Sequence, residues 1–134
     1  MTTAVVEGGG ADGLDDVEVV TAAALSCTAA DVLAADGYVL VTPANLGTMA
    51  GALKHFFDTI YYPCLEETRG RPFGVAVHGN NDVDGALRDI GKITTGLGWR
   101  QVAEHVRVLD TPDGEARDAC WNLGATVAAA LLEG

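Results

Sequence analysis

The sequence has 134 residues, of which 49% are hydrophobic and 6% aromatic, so a core built mainly from Ala, Val and Leu is expected. The formal net charge of −11 at pH 7 repels phosphate backbones and anionic membrane surfaces, which argues against nucleic-acid binding and membrane association. No run approaches the about 18 apolar residues of a membrane-spanning helix and the N-terminus has no signal-peptide pattern, so a single cytoplasmic domain over residues 1–134 is predicted.

Short β-branched runs alternate along the chain with longer segments of helical spacing. A helical stub over residues 2–7 is followed by a glycine-rich turn over residues 8–13. Residues 16–21 (DVEVVT) alternate between apolar and polar side chains and predict a short strand. Residues 28–35 predict a short helix, with Thr28 as its N-cap.

Residues 38–42 (YVLVT) form a continuous apolar run that predicts a strand buried on both faces. A loop follows, and then a helix that Thr48 is predicted to cap. Helical geometry is disfavoured for the residue before a proline, so the helix is predicted to end within residues 61–63, at Pro63. Its apolar stripe has spacings of four, three and four and consists of Met49, Leu53, Phe56 and Ile60.

Residues 72–78 (PFGVAVH) predict the next buried strand, with Pro72 at its first position, where no ladder donor is needed. After a loop of turn-forming residues, Asp84 is predicted to cap a helix. Gly96 and Gly98 offer a C-terminal cap for this helix.

Residues 101–109 alternate and predict an edge strand, and the last helix is predicted to open at Thr111 with Pro112 as its first residue. The chain therefore contains four predicted strands and four or five helical segments. Strands that alternate with helices are typical of βαβ units. The predicted fold class is α/β, a three-layer α/β/α sandwich around a parallel sheet.

Gly8-x-Gly10-x-x-Gly13 matches the spacing of the dinucleotide-binding fingerprint. That motif needs a strand before the glycines and a helix after them, so that a helix N-terminus meets the pyrophosphate. Here a helical stub precedes the glycines and a predicted strand follows them. A flexible turn is therefore the favoured interpretation.

The cysteines and histidines do not form a recognisable site. The cysteines are odd in number and lack a C-x-x-C spacing, which favours reduced thiols that act as small buried hydrophobes; they are Cys27, Cys64 and Cys120. The histidines form no metal-ligand spacing, so no metal site is predicted; they are His55, His78 and His105. Of these, His78 ends a predicted strand and is the histidine expected to contact a ligand.

Two loops leave the carboxyl ends of the two buried strands, where open parallel sheets bind their ligands. The first covers residues 43–48 and the second residues 79–84, and both are rich in Gly, Asn and Thr. Their side chains are small, so backbone N–H and C=O groups are accessible. Such groups suit the edge of a planar heteroaromatic ring.

The stretch over residues 36–58 (DGYVLVTPANLGTMAGALKHFFD) resembles flavodoxin-like and NADPH-dependent FMN reductase-like proteins. In those proteins a buried strand runs into T-P-x-x-x-G, a helix start of small residues and K-x-F-x-D. Residues 71–90 (RPFGVAVHGNNDVDGALRDI) resemble the next strand, its flavin-edge loop and the following helix. The resemblance covers residues 16–132 and implies a flavodoxin-like fold.

The resemblance also implies a cofactor, an FMN whose isoalloxazine ring lies between the two loops and carries the hydride or electron. It implies NAD(P)H as the electron donor. The first flavin loop would consist of Thr42, Pro43, Ala44, Asn45, Leu46, Gly47 and Thr48. The second would consist of Gly79, Asn80, Asn81 and Gly85.

The chain departs from the family pattern at its N-terminus. Such proteins begin with a strand and a Ser/Thr/Gly-rich loop that holds the FMN phosphate at a helix N-terminus. The stub over residues 2–7 matches the end of that helix, so the phosphate-binding loop and the first strand, central in the order 2-1-3-4-5, are expected to be missing. Buried unpaired groups beside the gap would cost about 1–3 kcal/mol each, which favours Met1 being an internal residue of a longer natural chain.

Three functions stay open. The first is an NAD(P)H-dependent FMN oxidoreductase, as the resemblance implies. The second is a one-electron flavodoxin-type carrier, although the two loops offer no aromatic side chain to stack on a flavin. The third is a cofactor-free α/β binding or scaffold protein, which the missing phosphate loop favours. Tyr61, Tyr62 and Trp99 lie outside the loops and are interpreted as packing or interface residues, which leaves a homo-oligomer open.

Overall fold

The computed structural model describes residues 1–80 and 82–133, and within these ranges it contains five helices and five strands. In chain order they are α1 (Thr2–Gly9), α2 (Ala29–Ala34), β1 (Tyr38–Asn45), β2 (Thr48–Met49), α3 (Gly51–Cys64), β3 (Pro72–Gly79), α4 (Asp84–Leu97), β4 (Arg100–Gln101), β5 (Val106–Leu109) and α5 (Gly114–Leu132). The α/β class is confirmed, and the predicted number of four strands is wrong.

The sheet is mostly parallel and is centred on β3. Residues 38–43 of β1 pair in parallel with residues 73–78 of β3. On the other edge of β3, β4 pairs with its first residues and β5 with its last, both in parallel. Among the described strands, only β2 is antiparallel, and it folds back on the end of β1. The carboxyl ends of β1, β3 and β5 therefore meet at one edge of the sheet.

Helices cover both faces of this sheet, which confirms the three-layer arrangement. On one face α2, α3 and α4 pack around strand residues that include Leu40 and Val75. On the other face α1 and α5 pack around Ala76, with Val39 and Val41 half-buried beside it. Neighbouring residues of one strand thus enter opposite layers, as the twofold periodicity of a strand requires.

Helices α1 and α5 approach each other until their backbones touch. A Cβ at Gly8 would lie 1.9 Å from the carbonyl oxygen of Trp121, and one at Gly124 would lie 2.1 Å from the carbonyl oxygen of Val5. Helix α1 continues to Gly9, so residues 8 and 9 are helical and do not belong to the turn predicted over residues 8–13. Gly8 serves helix packing, and the dinucleotide fingerprint is absent as a structural motif.

The predicted strand over residues 16–21 is wrong. A strand is stabilised by a hydrogen-bonded neighbour, and no described residue forms a ladder with this segment. Val19 and Val20 are 39% and 77% exposed, so the segment has not been drawn into the core either. Alternation of apolar and polar residues is insufficient where no neighbouring strand supplies the ladder.

Both predicted ends of α3 are wrong. Residues 44–49 fold into a hairpin that pairs Ala44 with Met49, so the helix starts at Gly51 with Ala50 at the N-cap position, and Thr48 is not the cap. At its other end α3 continues through Pro63 to Cys64, which is fully buried. A proline in the last turn removes a single backbone bond, and burial of the final turn outweighs this loss.

The boundaries of α4 were predicted in part. Asp84 is the first residue of the helix and Val83 occupies the N-cap position, so Asp84 is not the cap. Gly98 is the C-cap with a φ of 75°, as predicted for a left-handed glycine. Gly96 lies inside the helix.

The C-terminal elements also differ from the prediction. The strand over residues 101–109 is divided into β4 and β5, with a connecting segment between them. Asp113 is the N-cap of α5, and its carboxylate accepts a hydrogen bond from the backbone N–H of Ala116 at 2.9 Å. Pro112 therefore precedes the helix. The predicted cap of α2 is confirmed, since the Thr28 hydroxyl accepts from the N–H of Asp31.

Candidate functional site

The two predicted loops meet at the carboxyl edge of the sheet. A Cβ at Gly85 would lie 1.8 Å from the carbonyl oxygen of Gly47, so the start of α4 touches the backbone of the hairpin. A Cβ at Gly79 would lie 3.5 Å from the Cβ of Ala44. The distance at Gly79 is an ordinary van der Waals contact, so it is the glycine at position 85 that allows the second loop to approach the first this closely.

The first loop is a hairpin with an unusual tip. Leu46 and Gly47 have φ values of 51° and 79°, the left-handed pair that a tight two-residue hairpin needs. Left-handed backbone costs a residue with a side chain about 1–2 kcal/mol, and the Leu46 side chain is fully exposed. The Thr48 hydroxyl donates to the carboxylate of Asp89 on α4, which fixes the returning arm of the hairpin. Leu46 is thus held out into solvent by an anchored loop.

The predicted site residues differ in their access to a ligand. Thr42 is buried, and its hydroxyl donates to the carbonyl oxygen of Pro43 at 2.9 Å. It therefore stabilises the start of the loop from the buried side. Gly79 and Gly85 are buried where the loops touch, and Ala44 is half-buried. Asn81 lies outside the described residues. The exposed members are Pro43, Asn45, Leu46, Gly47, Thr48 and Asn80.

A third loop at this edge was missed by the sequence reasoning. The backbone N–H of Asp110, directly after β5, donates to the carbonyl oxygen of Gly79 at 3.0 Å. Asp110 has a φ of 61°, and its own carbonyl oxygen accepts a hydrogen bond from Nε2 of His78. The rule that located the first two loops, the carboxyl end of a parallel strand, also applies to β5. It would have identified Asp110.

One ion pair and one acidic side chain lie beside the second loop. Arg107 Nε lies 3.2 Å from the carboxylate of Asp84, and both side chains are more than half exposed, so the pair adds little stability. The carboxylate of Asp82 accepts from the N–H of Asp84 at 2.9 Å. Acidic groups at a helix N-terminus interact favourably with its dipole. The Asp82 carboxylate therefore contributes a hydrogen bond just before the start of α4, and the exposed pair adds little to it.

The cysteine thiols lie away from this edge. Burial raises the pKa of Cys27, Cys64 and Cys120 above the ordinary value, so each thiol stays protonated at neutral pH and is a poor nucleophile. Across residues 1–80 and 82–133, no three or more His, Cys, Asp or Glu side chains are grouped to hold a metal ion. No helix in the same ranges has the length and hydropathy needed to cross a membrane.

A known protein family matches most of this chain. The model of a family described as NADPH-dependent FMN reductase matches residues 12–111, which is more than half of the chain. No curated protein matches the sequence.

Solved structures share the fold at low sequence identity. A flavodoxin from the domain Archaea is 18% identical with a TM-score of 0.79, and the match covers 98% of this chain and 90% of that one. A WrbA-like flavodoxin from Agrobacterium tumefaciens is 18% identical with a TM-score of 0.77, covering 98% and 87%. A flavodiiron protein from Giardia intestinalis is 14% identical with a TM-score of 0.81, covering 98% of this chain and 32% of that one. The predicted flavodoxin-like fold is confirmed.

Proposed function

Since this chain belongs to the NADPH-dependent FMN reductase family, we propose that it binds FMN and acts as an NAD(P)H-dependent oxidoreductase. Family membership supports a flavin-binding oxidoreductase. The observation that carries the proposal further is the contact between Gly47 and Gly85, which joins the two loops at the carboxyl edge of the sheet. Ligands of open parallel sheets bind at this edge.

The exposed loop residues fit the ring of a flavin. Asn45, Gly47 and Asn80 are exposed at the tips of the two loops, and a flat heteroaromatic edge could hydrogen-bond to polar groups at these positions. The hairpin is anchored to α4 by Thr48, so these groups are positioned before a ligand arrives. Preorganised groups bind more tightly because less ordering is needed on association. These residues would hold the ring side of FMN.

Each part of the site would have a separate task. Bound FMN supplies hydride or electron transfer. Leu46, exposed at the hairpin tip, would cover the ring and exclude water from it. Helix α4 begins at the second loop, so its dipole presents positive potential to a ligand edge held between the loops. NAD(P)H would approach from the solvent side as the electron donor.

A titration with FMN tests the proposal. We expect the flavin fluorescence to be quenched on binding, and Gly85→Ala to weaken binding because the added methyl would separate the two loops. The matched control is Gly91→Ala in the same helix, where a Cβ meets nothing within 4 Å, and its affinity should equal that of the wild type. Circular dichroism verifies that both variants are folded.

Further outcomes separate the three functions. Bleaching of bound FMN by NADPH with turnover supports the reductase. A semiquinone that persists during reductive titration supports the one-electron carrier instead. Absence of quenching at high micromolar FMN with a folded wild-type chain would overturn flavin binding and leave the cofactor-free binding protein.

A further inference from the structure

Arg88 lies on α4 one turn after Gly85, at the place where the two loops touch. Side chains of a helix lean toward its N-terminus and cover the residue three or four positions earlier. The Arg88 guanidinium accordingly reaches back to the start of α4, and one Nη atom would lie 3.6 Å from a Cβ at Gly85. The carbonyl oxygen of Gly47 would lie 1.8 Å from the same Cβ, so the guanidinium is close to the hairpin backbone. Because Arg88 is exposed, its charge lies at the rim of the candidate site.

The positive charge of Arg88 is not offset by an ion pair within the described ranges. Three ion pairs lie in the part of the chain that the structure describes, and Arg88 belongs to none of them. Arg107, also near the second loop, has its Nε 3.2 Å from the carboxylate of Asp84, which offsets its charge. The neighbouring Asp89 accepts a hydrogen bond from Thr48 and is engaged with the hairpin. Arg88 is therefore a basic side chain that can pair with an anion at this rim.

An anionic ligand needs such a charge because the rest of the molecule repels it. The sequence has 19 Asp and Glu against 8 Lys and Arg, and the exposed Asp82 and Asp110 lie beside the same loops. A cation within this acidic surface determines where an anion can bind. The guanidinium also offers N–H donors in a fixed fork, which suits the oxygens of a phosphate. Arg88 thus favours a phosphate group at the rim.

The electron donor of the proposed function carries such a group. In NADPH and NADH a pyrophosphate is joined to the nicotinamide through a ribose, so it lies beside the reacting ring rather than over it. We propose that Arg88 binds the pyrophosphate of the nicotinamide donor and thereby selects a dinucleotide over an uncharged reductant. The inference rests on the proposed function, because it needs a donor at the flavin ring. Arg88 would be a substrate-binding residue with no part in hydride transfer.

The position of Arg88 favours the pyrophosphate over the 2′-phosphate that distinguishes NADPH from NADH. Gly47, which the guanidinium approaches, is one of the exposed residues proposed to hold the flavin ring. The pyrophosphate is the phosphate group nearer to the nicotinamide, whereas the 2′-phosphate is at the adenosine end of the donor. A guanidinium beside the ring therefore reaches the pyrophosphate. Arg88 should discriminate charged from uncharged donors without discriminating between the two dinucleotides.

Donor kinetics of the FMN-bound protein provide the first test. The donors are NADPH, NADH and N-benzyl dihydronicotinamide, which carries the same reacting ring without a phosphate. For Arg88→Gln we expect the KM of both dinucleotides to rise about tenfold, the loss typical of a hydrogen bond to a charged group, with a much smaller change in kcat. The ratio of kcat/KM for NADPH to that for the benzyl compound should fall by a similar factor. Arg88→Lys should recover part of the loss, because it keeps the charge but not the fork.

The matched control is Arg100→Gln. Arg100 is exposed and pairs in register with Pro72 at the amino end of β3, at the opposite edge of the sheet from the loops. Its substitution changes the net charge by the same amount, so a loss caused only by overall charge would appear in both variants. The donor ratio of Arg100→Gln should equal that of the wild type. Circular dichroism shows whether each variant is folded.

Calorimetric titration of the FMN-bound protein with NADP⁺ and NAD⁺ gives a readout that does not depend on turnover. Both should bind Arg88→Gln about tenfold more weakly than the wild type. Added salt should weaken binding to the wild type more than binding to the variant, because salt screens the charge that the variant lacks.

Three results would overturn the inference and leave flavin binding intact. The first is a loss confined to NADPH and NADP⁺, which would place the 2′-phosphate at Arg88. The second is an equal loss in Arg88→Gln and Arg100→Gln, and the third is an unchanged donor ratio in Arg88→Gln. A folded wild-type chain that fails to quench FMN fluorescence would overturn the proposed function and this inference together.

Discussion

His105 has a buried Nδ1 atom that finds no hydrogen-bond partner among the residues the structure describes. Burial, and then the charge of Arg107, hold the pKa of this imidazole below its ordinary value of 6.5. The unfolded chain therefore takes up a proton more readily than the folded one. The free energy of unfolding should be highest above pH 6.5 and should fall as the pH drops through the folded pKa.

The variant His105→Gln should remove this part of the pH dependence, because glutamine does not titrate. Urea unfolding on both sides of pH 6.5 measures the effect. His55→Gln is the control, since His55 is exposed on α3. The lowered pKa of Asp31, caused by the Thr28 backbone and side chain, acts in a separate window below 3.8. An unchanged slope in His105→Gln would contradict the assignment.

Single residues were predictable where the rule is local. Thr28 caps a helix and Gly98 ends one because both depend on the few residues beside them. The approach of Gly85 to Gly47 joins positions far apart in the chain and depends on how two strands place their loops. The sequence therefore predicted that both glycines belong to the site but not that they touch.

At the scale of elements, the α1–α5 crossing rests on two glycines. Gly8→Ala and Gly124→Ala should each destabilise the fold by about 1–3 kcal/mol, the usual cost of overpacking, because the added methyl would meet a carbonyl oxygen of the other helix. Chemical denaturation measures this. Gly114→Ala, at the exposed start of α5, should change stability by less than about 1 kcal/mol. Equal effects for all three would show that the helices do not cross as described.

Helices and strands were predicted correctly where their own apolar pattern is strong. Helix α4 and strand β3 carry strong apolar patterns and were placed within a few residues. The segment over residues 16–21 has a strand pattern but pairs with no other part of the described chain, so the pattern was misleading. The β1–β2 hairpin was missed because it needs Leu46 in a left-handed conformation, which a leucine rarely adopts.

At the scale of the whole molecule, the net charge of −11 should oppose folding through self-repulsion. The described ion pairs are largely exposed and weak, so salt should screen more repulsion than attraction. The thermal midpoint should therefore rise with sodium chloride concentration. The rise should be smaller in Glu66→Gln/Glu67→Gln, two exposed carboxylates in the α3–β3 connection. A midpoint that falls with added salt would contradict this balance.

The three-layer fold followed from the alternation of strand and helix patterns, and the position of the candidate site was predicted from the carboxyl ends of two strands. The third loop, at Asp110, was missed because the alternating pattern of residues 101–109 predicts an edge strand and does not by itself indicate a ligand site.

The central position of β3 also affects how quickly the chain can fold. Leu40 of β1 pairs with Val75, and Ala76 pairs with Val106 of β5, so the partners lie 35 and 30 positions apart in the chain. Each pairing closes a long loop, so the chain loses conformational entropy before the contacts between the paired strands stabilise it. Chains dominated by such distant contacts fold more slowly than helical bundles. Strands on both sides of the sheet pair with β3. We therefore expect the pairing of β3 to contribute most to the free-energy barrier of folding.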